Sequence, residues 1–181
     1  FSHSTDHETE EAVKALVKSG VTRLILDLRG NGGGLLKSSV SVANLFLEDG
    51  VIVYQTSRDE KEESFRANSK EVAKDIPLAV LVDSNSASAA EIVAAALQEH
   101  DRAVLIGQQT FGKGSVQLIF NLADDSSLHV TNARWFTPDR MPLDSKGITP
   151  DILVETEGKS SENDSTLARA VSYLKNSANE N

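Results

Sequence analysis

Short runs of branched aliphatic residues alternate with helical patterns along this chain. Three runs of Val, Ile and Leu have the length and composition of buried strands, namely residues 21–28, 77–83 and 102–107. Apolar residues at helical spacing predict helices over residues 9–19, 35–47 and 86–100. The order of these elements predicts an α/β fold.

The clearest part of the pattern is a β-α-β unit, formed by residues 77–83, 86–100 and 102–107. Such a crossover joins parallel strands, so the loops that leave both strands open on one edge of the sheet. Ser88 follows the first of these strands, and Lys113 follows the second. If residues 21–28 form a third parallel strand, the glycine run at residues 29–34 opens on the same edge, where α/β sheets usually bind ligands.

The remaining segments are predicted as follows. Residues 51–55 read as a short strand, whereas the charged residues 57–75 favour a solvated loop or a short surface helix. Strict alternation from Val116 to Phe120, with turn formers Asp124 and Asp125 beyond it, predicts a β-hairpin. Residues 155–163 form a polar linker, and Asp164 is placed to cap a last helix.

Composition excludes several classes of function. The 181 residues fit one domain, and 27 acidic against 18 basic residues give a net charge of −9, which disfavours nucleic acid. The chain contains no cysteine, so disulfides, thiolate metal sites and cysteine nucleophiles are excluded. Covalent chemistry would therefore need a hydroxyl or an amine.

Lys113 lies in a loop that partly matches a phosphate-binding motif. Gly107, Gly112 and Lys113 have the right spacing, but Gly114 replaces the hydroxyl residue that would ligate magnesium. A strand pattern rather than a helix follows, so a nucleotide site is a remote alternative. A dinucleotide fingerprint from Gly30 fails as well, because Leu35 stands where its third glycine belongs.

A serine nucleophile needs a base, and none of the four histidines is well placed. A lysine can serve if burial favours its neutral amine, and the glycines and Phe111 around Lys113 predict such a site. Gln117 would share a strand face with Lys113 and orient its amine without adding charge.

Ser88 suits the nucleophile because it begins a helix, where free N–H groups can stabilise an oxyanion. The N–H of Ala89 is the natural first donor, and Gly34 is the preferred second donor, with Gly33 next. Taken singly, each feature has a simpler explanation: the serines near residue 88 can cap a helix, and the glycine run can form a tight turn.

Five motifs together resemble one known family. The segments DLRGNGGG, VDSNSASAAEI, GQQTFGKGSVQ, ARWFTP and KGITPDI look like those of the carboxyl-terminal processing proteases, or tail-specific proteases. The resemblance covers residues 1 to about 155 and implies a crotonase-like (ClpP/crotonase) α/β core with β-α-β units and a C-terminal β-hairpin. Carried over, it makes Ser88 the nucleophile, Lys113 the base and Gln117 its partner, with Ala89 and Gly34 as oxyanion donors.

The sequence also departs from the family pattern at several positions. Ala90 replaces a common serine, Gln109 replaces a frequent proline, and PDRMPLDSKG lacks the usual glycine-bearing turn after TP.

The resemblance implies a serine endopeptidase that cleaves proteins near their C-terminus through an acyl-enzyme, with no metal or cofactor. It also implies an upstream PDZ domain that holds the substrate tail and a periplasmic, otherwise exported or membrane-associated location. The sequence leaves open whether the protein forms a homo-oligomer. We expect residues 1–155 to form the catalytic core and residues 156–181 a linker and terminal helix. A non-catalytic peptide-binding or regulatory module on the same fold is the alternative.

Overall fold

Two four-stranded sheets and four helices make up the computed structural model, which describes residues 1–68, 72–144, 146–155 and 164–176. The helices are α1 (Thr5–Lys18), α2 (Leu36–Asn44), α3 (Ala89–Glu99) and α4 (Ser165–Asn176). The strands are β1 (Leu24–Asp27), β2 (Val51–Ser57), β3 (Glu62–Arg66), β4 (Leu78–Val82), β5 (Val104–Gly107), β6 (Ser115–Asn121), β7 (Ser127–Phe136) and β8 (Ile152–Leu153).

The first sheet is parallel throughout, with strand order β1-β4-β5-β8. All five residues of β4 are buried, because helices cover both faces of the sheet. Val80 and Val82 face the main core beneath α3, whereas Ala79 and Leu81 pack with α4. The predicted β-α-β unit is therefore confirmed, and its strands are the centre of the molecule.

The second sheet is antiparallel, with strand order β3-β2-β7-β6. It contains the predicted hairpin, β6 to β7, whose turn includes Asp125 at a positive φ of 63°. The prediction for residues 57–75 was wrong where β3 pairs with β2. Among the residues of β3, Phe65 is the one packed against the core, so the strand shows no apolar alternation. Residues 69–71 of that prediction lie outside the described part.

The last helix packs against the parallel sheet through Ala170 and Leu174, which are buried. Its predicted cap is confirmed, since Asp164 Oδ1 accepts the Leu167 N–H at 2.9 Å. Residues 156–163, predicted as linker, lie outside the described residues, and the domain division at residue 155 stays a prediction. Among the described helices none is both long enough and apolar enough to span a membrane.

Gly107 offers a test of how closely β4 and β5 pack. It has φ of +138°, and a Cβ there would collide with the carbonyl oxygen of Val82 on β4. We expect Gly107→Ala to lower the free energy of unfolding by roughly 2 kcal/mol or more, measured by urea denaturation. Gly20→Ala is the matched control, because Gly20 also has positive φ but no atom lies within 4 Å of an added Cβ. Equal losses in the two variants would contradict the packing argument.

Candidate active site

Three loops leave the carboxyl ends of β1, β4 and β5 and meet at one edge of the parallel sheet, as the sequence predicted. The Ala87 N–H donates to the Asn31 carbonyl at 2.9 Å, which ties the β4 loop to the glycine run. The Phe111 N–H donates to the Ser86 carbonyl at 3.0 Å, which ties the β5 loop to the β4 loop. Backbone hydrogen bonds therefore hold the three loops together.

Asp83 and Ser86 add further hydrogen bonds between the β1 and β4 loops. Burial alone would raise the pKa of the Asp83 carboxyl, but hydrogen bonds from Gly30, Asn85 and Ser86 outweigh it and keep that pKa below its ordinary value. The Ser86 hydroxyl donates to the Leu28 carbonyl at 2.7 Å and accepts the Asp83 N–H at 3.0 Å. Both hydrogen bonds of the Ser86 hydroxyl therefore stabilise the loop.

Ser88 occupies the sharp turn between β4 and α3. Its φ of 57° and ψ of −119° lie in a region that non-glycine residues rarely adopt, which costs on the order of 1–3 kcal/mol. The residue is 8% exposed and stands at the N-cap position of α3. A strained serine at a strand-to-helix turn is the arrangement that nucleophile elbows use to present a hydroxyl. The sequence has no G-x-S-x-G motif, so this strain was not predicted.

Glu91 joins the Ser88 turn to the Lys113 loop. Its carboxyl group is fully buried, and its Oε2 accepts the N–H of Ser88 at 2.8 Å and the N–H of Lys113 at 2.9 Å. Its Oε1 accepts the Gly112 N–H at 2.7 Å and the Thr110 hydroxyl at 2.5 Å. Four donors satisfy both oxygens, which is what burial of a carboxyl group requires.

Sequence reasoning assigned no role to Glu91. The spacing of Ser88 and Glu91 is that of a capping box, and this signal could have predicted the bond to the Ser88 N–H. The bonds to Gly112 and Lys113 connect residues about 20 positions apart and depend on tertiary packing.

Thr110 extends this network to the segment KGITP. Besides donating to Glu91, its hydroxyl accepts the Ile148 N–H at 2.6 Å, and its own N–H donates to the Ile148 carbonyl at 3.1 Å. One threonine therefore connects the buried carboxyl to a fourth chain segment at the site.

The glycine run packs directly on the start of α3. A Cβ at Gly33 would lie 2.7 Å from Ser88 Cβ and 3.0 Å from the Ala89 nitrogen, so only glycine fits. The Gly33 N–H donates to Asn31 Oδ1 at 2.9 Å. Within the described part of the chain, the N–H groups of Ala89 and Gly34 have no acceptor. These contacts favour Gly34 over Gly33 as an oxyanion donor beside Ala89.

The expectation that Lys113 is buried was wrong. Its side chain is exposed, Phe111 beside it is 65% exposed, and no hydrogen bond or ion pair joins the Lys113 amine to any described residue, Ser88 included. The glycines allow the backbone of this loop to approach Glu91, and the N–H groups of Gly112 and Lys113 donate to its carboxyl group. The Lys113 side chain remains exposed to solvent. Gln117 is also exposed, and because β6 begins at Ser115, strand alternation does not relate it to Lys113.

The same contacts argue against a phosphate site at this loop. A phosphate loop offers free N–H groups and leads into a helix. Here the N–H groups of Gly112 and Lys113 already donate to Glu91, and the strand β6 follows.

Comparison with known proteins agrees with these motifs. The sequence model of peptidase family S41 matches residues 1–154. A carboxyl-terminal-processing protease of Synechocystis sp. is 44% identical over 155 residues, which are 86% of this chain and 36% of that protein. A probable CtpA-like serine protease of Staphylococcus saprophyticus is 39% identical over 158 residues, 86% of this chain and 32% of that protein. The chain thus spans about a third of the length of these relatives.

Solved structures show the same fold. The photosystem II D1 C-terminal processing protease superposes with a TM-score of 0.79 at 35% identity, over 87% of this chain and 41% of that one. A putative S41 protease from Bacteroides fragilis, at 18% identity, shares the fold with a TM-score of 0.78 over 97% of this chain and 50% of that one. The predicted crotonase-like α/β core is therefore confirmed. The family model that matches residues 1–154 shows that this chain belongs to peptidase family S41.

Proposed function

We propose that this protein is a serine endopeptidase that cleaves protein substrates near their C-terminus, with Ser88 as nucleophile and Lys113 as general base. The observation that carries the proposal is the shared bond to Glu91 Oε2, which brings the N–H groups of Ser88 and Lys113 to one oxygen atom. The two side chains that the reaction needs therefore start from neighbouring backbone positions.

In the proposed reaction, the Ser88 oxygen bonds to the peptide carbonyl carbon while its proton passes to the Lys113 amine. The carbon–nitrogen bond of the peptide then breaks, and the leaving amine takes that proton. Water hydrolyses the acyl-enzyme with Lys113 as base again, which releases a carboxylic acid and frees Ser88. The N–H groups of Ala89 and Gly34, which have no acceptor among the described residues, support this scheme, since a developing oxyanion needs such donors.

Lys113 must meet two conditions in this scheme: it must reach the Ser88 hydroxyl, and it must be shielded from water. Because the side chain is exposed here, we propose that the bound polypeptide covers it and that Gln117 then orients its amine. Binding of substrate would therefore complete the dyad.

A non-catalytic peptide-binding module on the same fold is the second candidate. The exposed Lys113, without a bond to Ser88, is the observation that favours it. Such a module would not react with a fluorophosphonate, whereas an activated Ser88 would. Mass spectrometry of the labelled protein separates the two candidates.

The family resemblance also leads us to propose a PDZ domain that holds the substrate tail, a location outside the cytoplasm, and assembly into homo-oligomers. Cell fractionation tests the location: recovery of the protein in the cytoplasm alone would reject it.

Ser88→Ala and Lys113→Ala should each lower the rate of cleavage of unfolded casein by about 10³-fold or more, because either change removes one half of the dyad. Product formation is followed by mass spectrometry. Lys61→Ala, at another exposed lysine, is the matched control and should keep the full rate. Cleavage that survives in either dyad variant would refute the assignment, provided that circular dichroism shows an intact fold.

Glu91→Gln should affect both stability and catalysis. An amide NH₂ would face N–H donors that now bond to a carboxyl oxygen, which should cost about 1–3 kcal/mol of folding free energy in a urea titration. It should also lower kcat about ten-fold or more with little change in KM, because the positions of Ser88 and Lys113 would loosen.

The control is Glu99→Gln on the same helix, where burial raises the pKa of a carboxyl group that lies away from Ser88. That variant should keep the original kcat. If Glu91→Gln lowered stability while kcat stayed unchanged at a temperature where the variant is folded, Glu91 would have no positioning role.

A further inference from the structure

The hairpin β6–β7 carries an apolar face that continues from the core. In β6, Val116 packs against the core opposite the buried Ala133. The register shifts between Val116 and Gln117, where β7 carries one extra residue. Beyond this bulge Leu118 pairs with Val130 and Phe120 pairs with Leu128, and the alternation of β6 puts both pairs on the face of Val116. The core side of the sheet therefore extends as a row of apolar side chains.

Nothing in the described structure buries this row. Its members are 37% to 52% exposed, and they are Leu118, Phe120, Leu122, Leu128 and Val130. The opposite face of the hairpin is mostly polar, with Ile119 paired to His129 and Gln117 paired to Thr131. A continuous apolar face of this kind in a protein of net charge −9 indicates a binding surface.

β6 is also an edge strand, since it ends the order β3-β2-β7-β6. Its sequence SVQLIFN contains no charge and no proline, the two devices that usually prevent strand addition at a sheet edge. The other edge strand of the sheet, β3, has the sequence EESFR with three charged residues. Among the described strands, the sheet is thus protected by charge at the β3 edge, whereas no strand pairs with the outer edge of β6.

The size of the face and its position indicate what binds there. Its half-exposed side chains offer on the order of 400 Å² of apolar area, about half of what each partner contributes to a stable dimer. An extended peptide needs less area, because strand addition supplies backbone hydrogen bonds as well. The strand also starts at Ser115, two residues after Lys113, so a peptide on β6 lies beside the candidate dyad.

We propose that the open edge and apolar face of β6 bind an extended, uncharged and apolar segment of the polypeptide substrate as an added strand. This inference rests on the proposed function and extends it: the substrate class is an unfolded apolar segment, selected by Phe120, Leu128 and their neighbours. Folded and highly charged segments would be rejected, the first because they have no free strand and the second because their charges would lose water.

The test measures binding separately from cleavage. Ser88→Ala protein is titrated against a fluorescein-labelled twelve-residue peptide of alternating Val or Leu and Ser or Thr, and fluorescence anisotropy gives Kd. A peptide with the same side chains but alternate N-methylated residues, which lack backbone donors, should bind about ten-fold more weakly or worse. A peptide with Glu at the apolar positions should not bind.

Two matched double variants on the Ser88→Ala background identify the face that binds. Phe120→Gln with Leu128→Gln, a cross-strand pair on the apolar face, should raise Kd at least about ten-fold. Ile119→Gln with His129→Gln, the neighbouring pair on the opposite face, should change Kd less than about three-fold. Amide hydrogen exchange of the Ser88→Ala protein, without the double substitutions, adds a second measurement. Bound peptide should slow the exchange of the β6 amides and leave the exchange of the β3 amides unchanged.

Equal effects of the two double variants, no binding up to millimolar peptide, or unchanged exchange in β6 would each overturn the proposal. Sedimentation that showed a dimer, dispersed by Phe120→Gln with Leu128→Gln, would assign the face to a second copy and also overturn it. Casein cleavage by the wild-type protein is measured in parallel. Cleavage without binding at the hairpin rejects this inference alone, whereas binding without cleavage rejects the peptidase proposal alone.

Discussion

The buried carboxyl group of Glu91 is the constraint on which the rest of the site depends. A carboxyl group with no exposed surface is tolerable only if donors surround both oxygens, and here three backbone N–H groups and one hydroxyl do so. These donors come from the Ser88 turn and from residues 110–113, so satisfying the carboxyl fixes the two loops relative to each other.

The hydrogen bond from the Ser88 N–H to Glu91 also explains how Ser88 keeps a strained backbone conformation. A positive φ at serine persists only where surrounding contacts determine it more strongly than local preference does. The Glu91 carboxyl binds the Ser88 N–H on one side, and the glycine run packs against Ser88 on the other. The parallel sheet beneath supplies a rigid base, because helices cover both of its faces. Strain at the turn is thus offset by contacts from three separate segments.

The sequence predicted the parts of the fold whose apolar pattern is strong, and it failed where the pattern is weak. The strands β1, β4 and β5 were evident because burial on both faces leaves continuous runs of Val, Ile and Leu. β3 was not predicted because a charged edge strand with one core contact shows no alternation of apolar and polar residues. For the site, topology predicted the convergence of the loops. It did not predict the links of Glu91 or the exposure of Lys113, which depend on where tertiary packing directs the backbone.

Exposure of Lys113 and exposure of the hairpin have a common physical consequence. Lys113 and the apolar row both lie in water, and both belong to one stretch of chain, residues 113–130. The proposed reaction requires the lysine to be dry. A polypeptide that adds to the free edge of β6 would place its side chains beside Leu118 and Phe120. Since Ser115 begins the strand, the same polypeptide would extend over the lysine, and one event would exclude water from both places. Binding energy from the apolar segment would then serve the reacting groups, which is how remote contacts raise kcat. A short peptide that reaches Ser88 but not the hairpin would leave Lys113 hydrated, so selection of unfolded tails would follow from the way the base is activated.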